Sequence, residues 1–292
     1  MRSNTVFRAF SLTKPVTTVA VMQLVERGKI GLQDPASKYV PSLKDLVVRG
    51  PAATDAAARV PLQRPITIHD LLTHTAGFAY TPEPRNTMVS STTIADFTER
   101  VVAIPLLSQP GTSWRYGVSV DVLGRIVEVA SGKTFDRYLQ DEIFAPLGMR
   151  ETGFHVSPET SLRLIPLYSL RDGRLQVPAE PLWPNYRPES RLFMGGEGLL
   201  STVPDYLQFA QMLLNGGELN GRRILKRETV SMMLTNHVDS SMFAAVSDVA
   251  HAGYLMEPTV SATVGCARGQ RREFGAAGHF RLGGNSRDVL LA

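Results

Sequence analysis

The stretch that decides the fold is FRAFSLTKPVTTVAVMQLVERGK, residues 7–29. From Pro15 onwards it is apolar at nearly every position, and Gly28 stands where such a helix would end. Proline is tolerated in the first turn of a helix and glycine is favoured just past the last, so the pattern predicts a helix over residues 15–27. Because apolar side chains fall on almost every face, we expect other elements to cover this helix on most sides.

A serine and a lysine lie three positions apart where this helix begins, Ser11 and Lys14. Side chains with this spacing share one helix face, so the amine can reach the hydroxyl. A serine hydroxyl becomes a nucleophile when a base takes its proton, and a lysine serves as that base when its surroundings lower its pKa. The same spacing also occurs by chance on ordinary helices, so further motifs must decide between a nucleophile and a surface pair.

Composition narrows the class of protein. The 292 residues are 43% hydrophobic and 20% charged, which is ordinary for a globular protein with a buried core. The net charge of +4 is spread along the chain, so we expect no nucleic-acid surface and interpret the arginines at 268–272 as a solvated face. Cys266 is the only cysteine, which excludes an internal disulfide and a cysteine-based metal site.

Targeting signals are not evident in the sequence. No apolar run approaches the ~18 residues that span a bilayer. Residues Met1–Phe10 lack the apolar core and the small-residue cleavage site of a signal peptide. We therefore expect no membrane span and a cytoplasmic location, with the loss of an N-terminal signal as the open alternative.

Local patterns predict a helix-rich α+β protein with few strands. Asp172-Gly173 between two β-like runs predicts a hairpin, and Thr202 and Gly216 frame a strongly amphipathic helix. The other predicted elements are a loop over 48–65, a short strand and helix within 66–78, a helix over 92–103, a strand-like run after the Pro-Gly turn of 110–116, a helix capped by Ser119 and ended by Gly132, and helices over 134–144 and 226–236.

Five stretches in order resemble one family. They are FRAFSLTKPVTTVAVMQLVERGKIGLQDPASKYVPSL (7–43), ITIHDLLTHTAGF (66–78), PGTSWRYGVSVDVLG (110–124), IFAPLGMRETGF (143–154) and GGEGLLSTVPDYLQFAQMLLNGGELNGRRIL (195–225). Together they are similar to the serine β-lactamase-like superfamily, which includes class C β-lactamases, D-Ala-D-Ala carboxypeptidases and family VIII carboxylesterases. The resemblance implies a β-lactamase/transpeptidase-like fold in one domain over 1–292, with an antiparallel sheet flanked by helices, a helical subregion over about 30–165 and sheet-associated regions at both ends.

The same resemblance assigns the site. Ser11 matches the acylated nucleophile, Lys14 its partner within the motif, and Tyr116 the tyrosine of the second motif. A phenol beside a lysine ammonium has its ionised form favoured, so a lysine–tyrosine pair can relay the serine proton to the leaving group. The resemblance implies neither a metal nor an organic cofactor.

The sequence departs from the family pattern in two places. Gly117-Val118 follows Tyr116, where β-lactamases and peptidases of the family carry an asparagine two positions after the tyrosine; its absence favours esters over amides as substrates. The third motif, which supplies an oxyanion-hole N–H, has as its nearest match EFGAAGHFRLGG (273–284), so the candidate backbone donors are Gly275, Ala276, Ala277 and Gly278. We interpret His279 as a loop residue, His69 and His74 as structural, and Glu197 as part of a turn.

The short segments at the two ends of the chain affect how much of the family's antiparallel sheet we expect to form. Only ten residues precede Ser11 and few follow residue 284, where the family places strands and a terminal helix. We therefore expect an incomplete sheet and a partly uncovered helix 15–27. A homodimer or strand exchange would supply the cover; the alternative is an incomplete or altered family gene whose final residues are out of frame.

The sequence thus predicts a serine hydrolase, most simply a carboxylesterase acting on short-chain acyl esters through an acyl-serine. The alternatives are β-lactam or D-amino-acid peptide hydrolysis, and a catalytically impaired relative that acts as a binding or assembly module.

Overall fold

The computed structural model describes residues 2–50, 58–171, 173–177 and 186–243, together with two short strands further along the chain. Ten α-helices lie within these residues: α1 Thr13–Glu26, α2 Ile68–Leu72, α3 Pro82–Ser90, α4 Ile94–Val101, α5 Ser119–Ser131, α6 Phe135–Leu139, α7 Ala145–Leu147, α8 Pro158–Ser161, α9 Val203–Leu214 and α10 Arg227–Met233. A π-helical turn, Gln140–Phe144, joins α6 to α7.

Helix α1 lies at the centre of the protein. It begins two residues earlier than predicted, and every residue from Thr13 to Leu24 except Pro15 is buried. Helices α5 and α6 pack against it. The prediction of a central helix covered on most sides is therefore confirmed, whereas the expectation that α1 would lose part of its cover is wrong. Exposed apolar side chains instead lie on α9, at Val203, Leu207 and Leu214.

The strands of the described residues are short and pair two by two, always antiparallel. They are β1 Val6–Arg8 with β6 Leu200–Thr202, β2 Val47–Arg49 with β3 Arg59–Pro61, β4 Ser169–Arg171 with β5 Arg174–Gln176, β7 Glu218–Leu219 with β8 Arg222–Arg223, and β9 Val260–Ser261 with β10 Cys266–Ala267. The first pair sets Val6 opposite Thr202. It therefore joins the segment that leads into α1 to the segment that leads into α9.

Elements with strong local signals are where the sequence predicts them. The hairpin β4–β5 forms around Gly173, which has a φ of 72°. Thr202 caps α9 by accepting the amide hydrogen of Asp205, and Gly216, also at φ 72°, follows its end. Both glycines occupy left-handed backbone conformations that other residues rarely adopt.

Four local predictions are wrong, the last of them in part. Val118, not Ser119, precedes α5 as its cap residue, and the buried Ser119 hydroxyl has no partner among the described residues. The strand-like run predicted at the Pro-Gly turn of 110–116 is a loop, since the Trp114 amide donates to the Met242 carbonyl and the Arg115 amide to the His74 carbonyl. The start of the 66–78 stretch makes one isolated bridge, at Thr67, instead of a strand. Part of the predicted loop over 48–65 pairs as β2 and β3.

Candidate active site

Ser11 lies on a strained turn at the entrance to α1. The turn is a single 3₁₀ segment, Phe10–Leu12, that runs directly into the helix. Phe10 has a φ of 44°, which is a costly backbone conformation for a residue with a large side chain. The turn leaves Ser11 exposed and directs the positive N-terminal end of the α1 dipole towards it.

Lys14 lies in the first turn of α1 and is 7% exposed. Its Nζ donates hydrogen bonds to Ser11 Oγ at 3.1 Å, Tyr80 Oη at 3.3 Å and the Gly196 carbonyl oxygen at 2.9 Å. Three acceptors match the three N–H groups of an ammonium. In the free amine, two N–H groups can keep Gly196 and Tyr80 while the lone pair faces Ser11, which is the geometry a general base requires.

Tyr116 reaches Ser11 from another direction. Its Oη donates to Ser11 Oγ at 2.5 Å, while Lys14 Nζ lies 4.6 Å from the centre of the phenol ring. The lysine therefore contacts the face of the ring, a cation–π arrangement, rather than the phenol oxygen. Gly117 permits this placement, because a Cβ there would lie 2.5 Å from Ala79 Cα.

The structure thus brings Ser11, Lys14 and Tyr116 together as a hydrogen-bonded cluster. The catalytic roles predicted for them remain predictions. The four predicted oxyanion-hole residues, Gly275 to Gly278, and His279 lie outside the described residues. Tyr80 and the Gly196 carbonyl carry no signal in the sequence, since they approach Lys14 from 66 and 182 residues away along the chain.

An aromatic wall supports Tyr116. The His74 ring lies 5.0 Å from that of Tyr116 and 6.1 Å from that of Trp114, centre to centre. Burial, with a smaller contribution from the Lys14 charge, lowers the pKa of His74 to about 3. His74 is therefore neutral at pH 7, and its packing fits the structural role predicted for it.

One loop, residues 194–199, is held against α1 by side chains of that helix. Thr17 Oγ1 donates to the Gly195 carbonyl at 2.6 Å, and the Leu199 amide donates to Thr13 Oγ1 at 3.2 Å. Lys14 bonds the Gly196 carbonyl between these two anchors. The loop approaches α5 so closely that a Cβ at Gly195 would lie 2.5 Å from the Val120 carbonyl oxygen.

Two carboxyl groups act electrostatically on Lys14. Burial raises the pKa of Asp121 to about 7, with the Lys14 charge opposing this rise. Burial likewise raises the pKa of Glu197, and the charges of Lys14 and Arg85 oppose it. Glu197 is half-buried in the glycine-rich loop, so its surroundings go beyond the turn role that the sequence suggested.

The described residues contain neither a cluster of metal-ligating side chains nor a helix that could span a membrane. No group of three or more His, Cys, Asp or Glu side chains in that part of the chain could hold a metal ion. Its helices include none that is both long and apolar enough to cross a bilayer.

A buried lysine and a tyrosine on an exposed serine, within a helix-rich α+β fold, are the features of serine β-lactamase-like enzymes. The chain belongs to the β-lactamase family: the family's sequence model, described as Beta-lactamase, matches residues 1–287. This family contains serine hydrolases, esterases and acyltransferases, and its β-lactamase/transpeptidase-like fold is the fold of this chain.

Known proteins similar to this chain include enzymes and one protein without an assigned activity in its name. Protein Rv1367c of Mycobacterium tuberculosis is 34% identical over 245 residues, which cover 82% of this chain and 61% of that protein. Esterase EstB of Burkholderia gladioli is 32% identical over 236 residues, covering 71% of this chain and 57% of EstB. The solved structure of EstCE1, a hydrolase with promiscuous acyltransferase activity, superposes with a TM-score of 0.68 at 26% identity, over 83% of this chain and 66% of that one. The chain spans about three fifths of the length of the curated relatives it matches.

Proposed function

We propose that the protein is a carboxylesterase that cleaves short-chain acyl esters through an acyl-serine intermediate. The observation that carries this proposal is the position of Ser11 Oγ, which accepts hydrogen bonds from Lys14 Nζ at 3.1 Å and from Tyr116 Oη at 2.5 Å. A hydroxyl within reach of two proton-transferring groups has the arrangement of an activated nucleophile. The esterase name of the similar protein EstB supports the same class of substrate.

The reaction follows from these contacts. Ser11 Oγ attacks the ester carbonyl carbon while its proton passes to the free amine of Lys14. The resulting oxyanion accepts a hydrogen bond from the Ser11 amide, with Gly275–Gly278 as the predicted second donor. The tetrahedral intermediate expels the alkoxide, which takes a proton through Lys14 and Tyr116. Water then attacks the acyl-serine by the reverse path, releasing the acid and restoring the serine hydroxyl.

The segment after Tyr116 favours esters over β-lactams and peptides. Val118 occupies the position of the asparagine that would orient a substrate amide, and its side chain is fully buried. It therefore has no surface to offer to a substrate. Ester hydrolysis does not depend on an amide-orienting group, so it tolerates this change.

Covalent labelling tests the proposal. The protein is incubated with a fluorophosphonate and, separately, with p-nitrophenyl butyrate; we expect one label on Ser11 and turnover of the ester. Ser11→Ala abolishes both. Ser37→Ala is the matched control, since Ser37 also lies in a 3₁₀ turn, Ala36–Lys38, away from the site. Turnover that persists in Ser11→Ala would refute the proposed nucleophile.

The alternatives are outcomes of the same experiment. Faster hydrolysis of a chromogenic cephalosporin or of a D-alanyl-D-alanine peptide than of the ester would replace the esterase assignment. A folded protein that neither labels nor turns over any of these compounds would instead support a binding or assembly role.

A further inference from the structure

Asp121 is a buried acid beside the candidate site that the mechanism above does not use. It lies in the first turn of α5 and is 0% exposed. Its Oδ1 accepts the Gly196 amide hydrogen at 2.6 Å, while its Oδ2 is buried with no hydrogen-bond partner among the described residues. Burying a carboxyl group costs free energy when one of its two oxygens makes no hydrogen bond. A buried carboxyl group at this position therefore needs an explanation.

Gly196 connects Asp121 to Lys14. Its N–H bonds Asp121, and its carbonyl oxygen accepts the Lys14 hydrogen bond at 2.9 Å. The two are also in tight contact, because a Cβ at residue 196 would lie 2.5 Å from Asp121 Oδ2. A change at Asp121 is therefore passed directly to the carbonyl that Lys14 contacts.

The orientation of the Lys14 amine depends on that carbonyl. A carbonyl oxygen only accepts hydrogen bonds, so the contact with Gly196 always occupies one lysine N–H. With a second N–H on Tyr80, the remaining position on the nitrogen faces Ser11, at 3.1 Å. If the carbonyl turned away, the amine would lose this constraint and its lone pair would no longer be aimed at the serine.

We infer that Asp121 is a positioning residue for Lys14: it holds the Gly196 carbonyl on the lysine amine and so directs the lone pair at Ser11. The inference rests on the proposed function, because it concerns the transfer of the Ser11 proton to Lys14. Asp121 acts through Gly196 and through its charge, without touching the substrate.

The charge of Asp121 adds a second effect on Lys14. Burial raises the pKa of Asp121 to about 7, so the group ionises near neutral pH. Once ionised, its negative charge attracts the positive charge of Lys14, so the pH dependence of proton transfer from Ser11 also depends on Asp121. Glu197 is the other acid that acts on Asp121. On the other helices packed on α5, Asp70 pairs with Arg64, Asp96 with Arg100 and Arg137 with Asp141. Asp136 of α6 keeps one buried oxygen without a hydrogen bond among the described residues.

The experiment is the pH dependence of Ser11 phosphonylation, which reports proton transfer without substrate turnover. Rates are measured from pH 5 to 10 for the wild type, Asp121→Asn and Asp121→Ala. The control is Asp205→Asn, which changes another buried aspartate, one that accepts hydrogen bonds from the Glu151 amide and Thr152 Oγ1. Circular dichroism and thermal melting establish that each variant is folded.

The expected results separate position from charge. Asparagine keeps the acceptor for Gly196 but never ionises, so the rising limb of the Asp121→Asn profile moves to lower pH by about one unit. Asp121→Ala loses the acceptor, and its plateau rate falls by at least about tenfold. Asp205→Asn keeps the wild-type limb and plateau even where its melting temperature falls.

Two outcomes would overturn the inference. One is an Asp121→Asn profile that coincides with the wild type, which decides the matter even if Asp121→Ala does not fold. The other is a folded Asp121→Ala with the wild-type plateau. Failure of the wild type to label at Ser11 is a different result, because it overturns the proposed function and this inference with it.

Discussion

Replacing Gly117 with alanine tests how Tyr116 is held against Ser11. The added Cβ would lie 2.5 Å from Ala79 Cα and 2.7 Å from the Phe78 carbonyl oxygen. Ordinary contact begins at 3.4 Å, so the tyrosine segment must move by about 0.9 Å, which is 3.4 minus 2.5. Both obstacles are backbone atoms, which cannot rotate aside as a side chain would.

The displacement acts on a short hydrogen bond. Tyr116 Oη lies 2.5 Å from Ser11 Oγ, and a movement of this size takes the pair beyond the normal O–H···O range. A misplacement of about 1 Å costs roughly 100-fold in rate, so we expect kcat for p-nitrophenyl butyrate to fall by that factor while KM changes little. Overpacking also lowers the free energy of unfolding by about 1–3 kcal/mol.

Gly153→Ala is the matched control, because a Cβ at residue 153 would have nothing within 4 Å. We expect it to retain both kcat and the free energy of unfolding. Steady-state kinetics and urea denaturation at pH 7 measure the two quantities for both variants. A folded Gly117→Ala protein with the kcat of the wild type would refute the argument that this close approach places Tyr116.

Two further predictions concern stability and pH. Burial raises the pKa of Asp70, but hydrogen bonds from Arg64 and Thr67 outweigh this and lower it below 3.8. The free energy of unfolding of Asp70→Asn, measured by urea denaturation at pH 7, is therefore about 2–3 kcal/mol lower than that of the wild type. This difference shrinks as the pH falls below 3.8. An equal loss at pH 7 and at pH 2.5 would contradict the prediction. The pKa of His74 is lowered from 6.5 to about 3, so the unfolded state binds one more proton between these values and wild-type stability falls with falling pH. His74→Asn, which tolerates the φ of 58°, removes a slope of ~1.4 kcal/mol per pH unit between pH 6 and 4; parallel curves for the two proteins would show that His74 is not the titrating group.

Local signals and motif order allowed much of the fold to be predicted. Helix α1, the β4–β5 hairpin and α9 each carry their own caps, glycines or periodicity, and each forms close to its predicted position. The prediction of a strand at the Pro-Gly turn of 110–116 is wrong, because the amides of Trp114 and Arg115 donate to carbonyls of distant segments, at Met242 and His74. β-propensity cannot distinguish such a loop from a strand, since pairing depends on tertiary contacts.

The candidate site, like the fold, can be predicted from the sequence only in part. The spacing of Ser11 and Lys14 is local, and the resemblance adds Tyr116, so a sequence can indicate all three. Asp121 and Tyr80 carry no such signal. Asp121 resembles an ordinary acid in a first helical turn until the fold buries it under Gly196, and that burial is what changes its pKa.

The hold of α1 on the loop at 194–199 has a consequence for synthesis of the protein. Lys14 and its Gly196 acceptor are separated by 182 residues. At ~5–20 residues per second, a ribosome needs about 10–40 s to translate that interval. Throughout this time the nascent chain carries an apolar helix whose N-terminal turns lack the loop that contacts Lys14, Thr17 and Thr13 in the native fold. We therefore expect folding to depend on chaperones that bind the early chain, and slower translation before residue 199 to lower the yield of folded protein.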